Sequence, residues 1–237
     1  MSAMDELDKD LFAVFRRWAD REAEYFERSR GVFEEAVRPA AYYERKPDPK
    51  SVTQANMAYT EWFLYEFDLA DGKTPLELFV EGPPDGTHAE RLGRLEQVAQ
   101  TQRFSRFAIR DKRVETGELG VVDLRTGEDF VVRNERACRM RTWRDGTLGQ
   151  RIARVDGEWR LVGQTLLYDR ASYEPLSGRG PGDLEGMIAV AMRPEGPTII
   201  PRNPTGSYFL DVLRDVIGVD GPYRSTLRLR TMPGGRA

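Results

Sequence analysis

Between Phe104 and Tyr168 apolar and polar residues alternate in short runs, and turn signals cut those runs at the spacing a small antiparallel barrel requires. Phe104, Ala108 and Val114 begin the pattern. Val121-Val122-Asp123-Leu124 and Phe130-Val131-Val132 flank Arg125-Thr126-Gly127-Glu128, and Ile152-Ala153-Arg154-Val155 and Trp159-Arg160-Leu161-Val162 flank Asp156-Gly157. Asp-Gly between two such runs predicts a two-residue hairpin, because a primed turn needs positive φ, which Gly adopts without strain. In the last run Trp159 shares a face with Leu161, so it is expected to anchor that hairpin in the core.

The flanking sequence carries a helical period. Leu7, Leu11, Phe15, Trp18 and Phe26 fall near helical spacing with charges between them, which predicts one long amphipathic helix. Pro39 and Lys46-Pro47-Asp48-Pro49 interrupt the chain next, since proline withholds a donor and pushes its predecessor out of the helical region. A second helix is expected after Ser51, carrying Ala55, Ala58, Tyr59, Trp62 and Phe63, and ending at Asp71-Gly72. Thr74-Pro75-Leu76-Glu77 reads as a capping box with proline at the first helical position. Thr87-His88-Ala89-Glu90 reads as another, ahead of Leu92, Leu95 and Val98.

After Tyr168, Ser177-Gly178-Arg179-Gly180-Pro181-Gly182 reads as a linker, and Asp183 as the cap of a short helix through Met192. A helix holding Phe209, Leu210, Leu213 and Ile217 follows, and the alternation around Leu227 and Leu229 suits an edge strand. The expected architecture is α+β: a helical region over 1–102, a small antiparallel SH3-like or OB-like β barrel over 103–170, and a linker with a C-terminal helical segment over 171–237. The parts are expected to pack as one unit.

Composition narrows the chemistry. The 237 residues include 36 basic and 39 acidic side chains, a net charge of −3 that argues against coating nucleic acid or an anionic membrane with the whole surface. Charge is uneven, however: residues 103–170 carry a net +4 and the remainder −7. The single Cys138 and single His88 leave no intrachain disulfide and no zinc site built from Cys and His, so no metal or other cofactor is expected. The first residues lack a basic leader and no apolar run approaches a membrane span of roughly 18 residues, so a cytoplasmic protein with no membrane partner is expected.

The residues Tyr59-Thr60-Glu61-Trp62-Phe63-Leu64-Tyr65-Glu66-Phe67-Asp68 and Asp71-Gly72-Lys73-Thr74-Pro75-Leu76-Glu77-Leu78-Phe79 resemble those of a little-characterised bacterial family. In that family a helical region with a Trp-Phe-Leu-aromatic run precedes a compact β unit, and some members carry a zinc motif named after the SecA C-terminus (SEC-C). The resemblance spans about Tyr59 to Tyr168 and includes Leu124-Arg125-Thr126-Gly127-Glu128 and Gly157-Glu158-Trp159-Arg160-Leu161. It implies the same order of helical region and β unit. The zinc motif is absent here, because the chain has no Cys pair.

Motifs for chemistry are few. There is no P-loop and no Gly-x-Ser-x-Gly elbow, and His88 falls in an expected helix start. Glu61 and Glu66 lie five apart around an aromatic run, a spacing that does not set two carboxylates across a substrate; the run itself reads as core. The basic run is the candidate binding feature. Arg133, Arg136, Arg139, Arg141 and Arg144, with Trp143, lie within twelve residues that contain one acid, Glu135. If Arg139 to Thr142 is extended, Arg139 and Arg141 share a face and Met140 points inward. Small β barrels with a basic face and an aromatic bind nucleic-acid backbones. The competing reading is a face neutralised by Asp123, Glu128, Asp129, Asp145, Asp156 and Glu158. The expected function is therefore a non-catalytic binding or adaptor protein contacting nucleic acid or an acidic protein. Two alternatives stay open: an enzyme with a dispersed carboxylate and arginine site, or a structural protein forming a homo-oligomer through its aromatic helices.

Overall fold

A computed structural model describes residues 6–21, 23–43, 45–141, 146–164, 166–169, 208–217 and 228–230. The fold is mixed α+β. Where one long amphipathic helix was expected at the start there are two, α1 (Glu6–Arg21) and α2 (Ala23–Val37). They serve different cores. Leu7, Leu11 and Val14 of α1 pack with Leu76, Leu95 and Val98, whereas Phe33 and Val37 of α2 join Trp62 and Phe63, so a single straight axis does not satisfy both.

A short α3 (Ala40–Tyr43) leads to α4 (Pro49–Tyr65), which starts at Pro49 rather than after Ser51 as expected. Asp48 is its N-cap and accepts from the Ser51 backbone N–H, while Pro49 occupies the first turn where its missing donor costs nothing. The Thr74–Glu77 capping box forms and opens α5 (Pro75–Glu81). The second expected box does not form. His88 is the N-cap of α6 (Ala89–Thr101), without a side-chain cap bond, and the Thr87 hydroxyl donates instead to the Pro84 carbonyl.

The strands are β1 (Arg103–Arg113), β2 (Glu118–Asp123), β3 (Asp129–Arg133), β4 (Thr147–Val155), β5 (Glu158–Leu161), β6 (Leu166–Asp169) and β7 (Arg228–Arg230), with a short α7 (Glu135–Arg139) between β3 and β4. Both hairpins flagged in the sequence are present. Asp156 (φ 53) and Gly157 (φ 80) form the two-residue turn between β4 and β5, where a residue with a Cβ would be strained at the second position. The pairings run β1–β2, β2–β3, β3–β5, β5–β4 and β4–β1, so they close on themselves. All are antiparallel except β3–β5, which is parallel through Val132↔Trp159 and Arg133↔Arg160. β1 serves two partners by register: its first half pairs with β4 and its second half with β2, with a bulge between Ile109 and Asp111. β6 extends β4, and β7 adds the expected edge strand to β6.

Three apolar clusters hold this together. Phe107, Ile109, Leu119, Val121, Phe130, Val132, Leu148 and Ile152 of the strands form one buried cluster with Ala137 and Cys138 of α7. Trp159 and Leu161 pack against this cluster from β5, as their shared face predicted. On the other side, Trp62, Phe63 and Phe67 meet Phe33 of α2, Phe104 of β1 and Phe209, Leu210 and Leu213 of α8 (Tyr208–Ile217). Leu64, Tyr65, Leu76, Leu95 and Val98 pack under Ala153 and Val155 of β4. The aromatic run of α4 is thus consumed by the chain's own core. The Gly-rich linker and the Asp183 helix lie outside the described residues.

Candidate functional site

Two constellations of charge stand out, one buried and one exposed. In the first, Arg151 of β4 points toward the helices, on the opposite side of the strand from Leu148 and Ile152. Its Nε donates to Glu61 Oε1 at 3.0 Å, its Nη2 to Glu66 Oε1 at 2.5 Å, and its Nη1 to the Gln102 side chain. Tyr65, Phe209 and Phe104 lie around the guanidinium at 4.7, 5.3 and 5.7 Å from their ring centroids. Gly163 completes the enclosure: a Cβ there would come within 2.7 Å of the Glu61 carboxylate. Burial pushes the Arg151 pKa down, but the charges of Glu66 and Glu61 outweigh it and hold the group above its ordinary value. Glu61 and Glu66, which sequence spacing left without a common target, converge on one cation. Arg151 and Glu61 are 2% and 1% exposed, so a substrate has no access to them.

The second constellation lies at the end of the strands where the β1–β2 hairpin and α7 meet. Asn134 accepts from the Ala137 N–H and caps α7, while its own N–H donates to the Gly117 carbonyl. Gly117 admits this approach because a Cβ there would lie 2.8 Å from Glu135 Cγ. Arg139 is therefore helical and Met140 caps the helix, rather than both lying in an extended run. A helix of this length spreads its side chains over a surface instead of alternating them, so Arg139 and Arg141 do not form the expected strand face. Met140 does turn to the core. Its carbonyl accepts from Lys112 Nζ at 2.7 Å, and the Gly146 carbonyl accepts from the Ile109 N–H, so the chain on either side of residues 141–145 is tied along β1.

The cations at this end divide into two groups. Arg133 donates to Glu158 at 2.5 Å, which holds that carboxyl below its ordinary range; Arg139 donates to Glu135 at 3.3 Å; Arg113 donates to both Asp111 and Glu118. Arg110, Arg136 and Arg141 have no hydrogen-bond or ion-pair partner among the described residues. Trp143 and Arg144 lie outside the described residues. The arginine run is thus partly neutralised, as the competing reading held: Glu158, one of the acids it named, takes Arg133, whereas Arg139 is taken by Glu135 of its own helix and Glu128 pairs with Arg103.

Beside this end, on the outer side of β2, β3 and β5, a cavity of about 320 Å³ is lined by Glu118, Asp129, Val131, Arg133, Glu158 and Trp159, among others. Strand alternation builds it: Asp129, Val131 and Arg133 face out from β3 while Phe130 and Val132 face the core. Gly157 of the β4–β5 turn also lines it. Sequence reading missed this site because β3 and β5 are brought side by side only by the parallel pairing, which no local pattern announces. His88 is exposed, and Cys138 is buried with its thiol pKa raised by that burial, so neither takes part. No group of His, Cys, Asp or Glu among the described residues is arranged to hold a metal ion, and no helix there is long and apolar enough to cross a membrane.

No family model matches this chain, and neither the curated proteins nor the solved structures contain a match to it.

Proposed function

We propose that this protein is a non-catalytic nucleic-acid-binding protein whose β unit is an OB-like barrel carried on a helical frame. The circuit β1–β2–β3–β5–β4–β1 with a parallel β3–β5 pair and a helix between β3 and β4 supports the barrel assignment. The observation that carries the binding assignment is the charge left at the α7 end after internal pairing: Arg110, Arg136 and Arg141 keep no acidic partner among the described residues. Unneutralised guanidiniums grouped on neighbouring elements are suited to a backbone of repeated phosphates, where each neutralised phosphate releases condensed counterions. An enzyme reading gains nothing from the buried cluster, whose carboxylates are already committed to Arg151, Glu61 being sealed from solvent as well.

Fluorescence anisotropy with a labelled single-stranded DNA oligonucleotide tests this. Binding is expected at low ionic strength, with affinity falling linearly on a log-log plot against salt. The Arg136→Ala, Arg141→Ala double variant should reduce that slope by roughly 0.7 for each phosphate it no longer neutralises. Absence of binding at low salt, or an unchanged slope in the double variant, would overturn the proposal, and an acidic protein would then be the partner to seek.

A further inference from the structure

We infer that the cavity on the β2–β3–β5 face receives one unstacked base of a single strand, and that it selects bases carrying an exocyclic amino group. This rests on the nucleic-acid reading above. The volume, about 320 Å³, lies at the small end of ligand pockets, which run from about 300 to 1,000 Å³, and so suits one ring system rather than a longer segment. Its lining excludes a phosphate. Glu118, Asp129 and Glu158 contribute three carboxylates against the single guanidinium of Arg133, which Glu158 already holds.

The same carboxylates favour a base edge that donates hydrogen bonds. Glu118 is engaged by Arg113 and Thr116, and Glu158 by Arg133 and Arg160, but Asp129 is exposed with no partner among the described residues. Asp and Glu accept from the N4 amino group of cytosine, whereas the corresponding group of thymine is itself an acceptor. The exposed Val131 supplies apolar wall for the ring. Gly157 in the lining has open space around its Cβ position, which leaves that side unobstructed.

The cavity also adjoins the basic end. Glu118 and Arg133 are opposite each other in the β2–β3 register, and one residue later Asn134 caps α7. A strand whose phosphates meet Arg136 and Arg141 therefore passes the cavity mouth. In a duplex the base edges are paired and the rings stacked, so only a single strand can supply a base.

Anisotropy with labelled oligo(dC), oligo(dT) and a mixed-sequence duplex of equal length, at equal salt, tests the inference. Oligo(dC) should bind at least about fivefold more tightly than oligo(dT), the lower end of what one base pairing discriminates, and the duplex more weakly than oligo(dC). Asp129→Ala should abolish the dC over dT preference while leaving the salt slope intact, because Asp129 meets no phosphate. Val131→Asp, also at an exposed strand position, should weaken both single strands. Equal affinity for oligo(dC) and oligo(dT) in the parent, or a preference that survives Asp129→Ala, overturns the base pocket and leaves the nucleic-acid reading standing. Failure of all three probes to bind at low salt overturns both.

Discussion

The two sides of the β unit use arginine in opposite ways. On the helical side, Arg151 sits among Glu61, Glu66, Gln102 and three aromatic rings with 2% of its surface exposed. At the α7 end, Arg136 and Arg141 belong to the same strand-bearing segment yet keep no partner among the described residues. Residue type is identical and environment decides. A buried guanidinium must be matched by carboxylates fixed in place, because an unpaired charge in the interior costs several kcal/mol, whereas an exposed one is solvated at little cost and stays free for a ligand.

The largest expected effect follows from the matched side. Arg151→Met removes the cation and strands Glu61 in a site sealed by Gly163 and the aromatic rings. Breaking a buried pair by deleting one member costs about 3–5 kcal/mol, so Tm should fall by roughly 10 °C for a chain of this size. Adding Glu61→Gln to Arg151→Met should recover part of that stability, since the remaining Glu66 is only partly covered and can meet water. An unchanged Tm in the single variant would erase the contrast between the two sides. A double variant no more stable than the single one would assign the effect to packing rather than charge.

The same contrast decides what could be read from the sequence. The hairpins around Arg125-Thr126-Gly127-Glu128 and Asp156-Gly157, the α5 capping box and the buried aromatic run of α4 were all legible, because each is set by residues within a few positions of one another. Long-range partners were not. Glu61 and Arg151 are brought together only when α4 packs across β4, and the cavity exists only once β3 and β5 lie in parallel. The break between α1 and α2 was hidden because both helices keep an apolar stripe, and the stripe does not say which core it will enter. The α7 helix had a local signal that arginine spacing obscured: Asn134 is a good N-cap, and Glu135 follows it in the first turn.

Alkaline pH sharpens the comparison with an intermediate effect. Tyr42, Tyr59, Tyr65 and Tyr208 all lie on the helical side, whereas the strand cluster contains no tyrosine among the described side chains. Burial raises all four phenol pKa values, that of Tyr42 to about 12. Unfolded tyrosine ionises near 10. The folded values lie above the unfolded one, so the stability these groups confer is fully present below about pH 10 and is lost as pH rises through the folded values. Tm should fall from about pH 10 upward, and phenolate absorbance should rise in step with unfolding for the buried tyrosines rather than as one early transition. A single complete ionisation near pH 10 with the fold intact would show that the helical side is open to solvent.

The smallest expected effect on stability is at the α7 end, and its smallness is informative. The Arg136→Ala, Arg141→Ala variant removes one half-buried and one exposed guanidinium that hold no ion pair or hydrogen bond among the described residues, so Tm should stay within about 2 °C of the parent, the shift expected for changes near 0.5 kcal/mol. Adding salt should leave this small difference unchanged, because neither arginine has a pair to screen among the described residues. Arg133→Ala is the control, since it releases Glu158 from its closest partner and should make the acid limb of stability shallower. The sign is set by the folded Glu158 pKa lying below its ordinary value: the Arg133 contribution is present above the usual carboxylate range and lost as pH falls through the folded value. A large drop of Tm in the double variant would place Arg136 and Arg141 among the structural arginines with Arg151, and Arg110 alone would then be left at the α7 end, too little to hold a phosphate backbone.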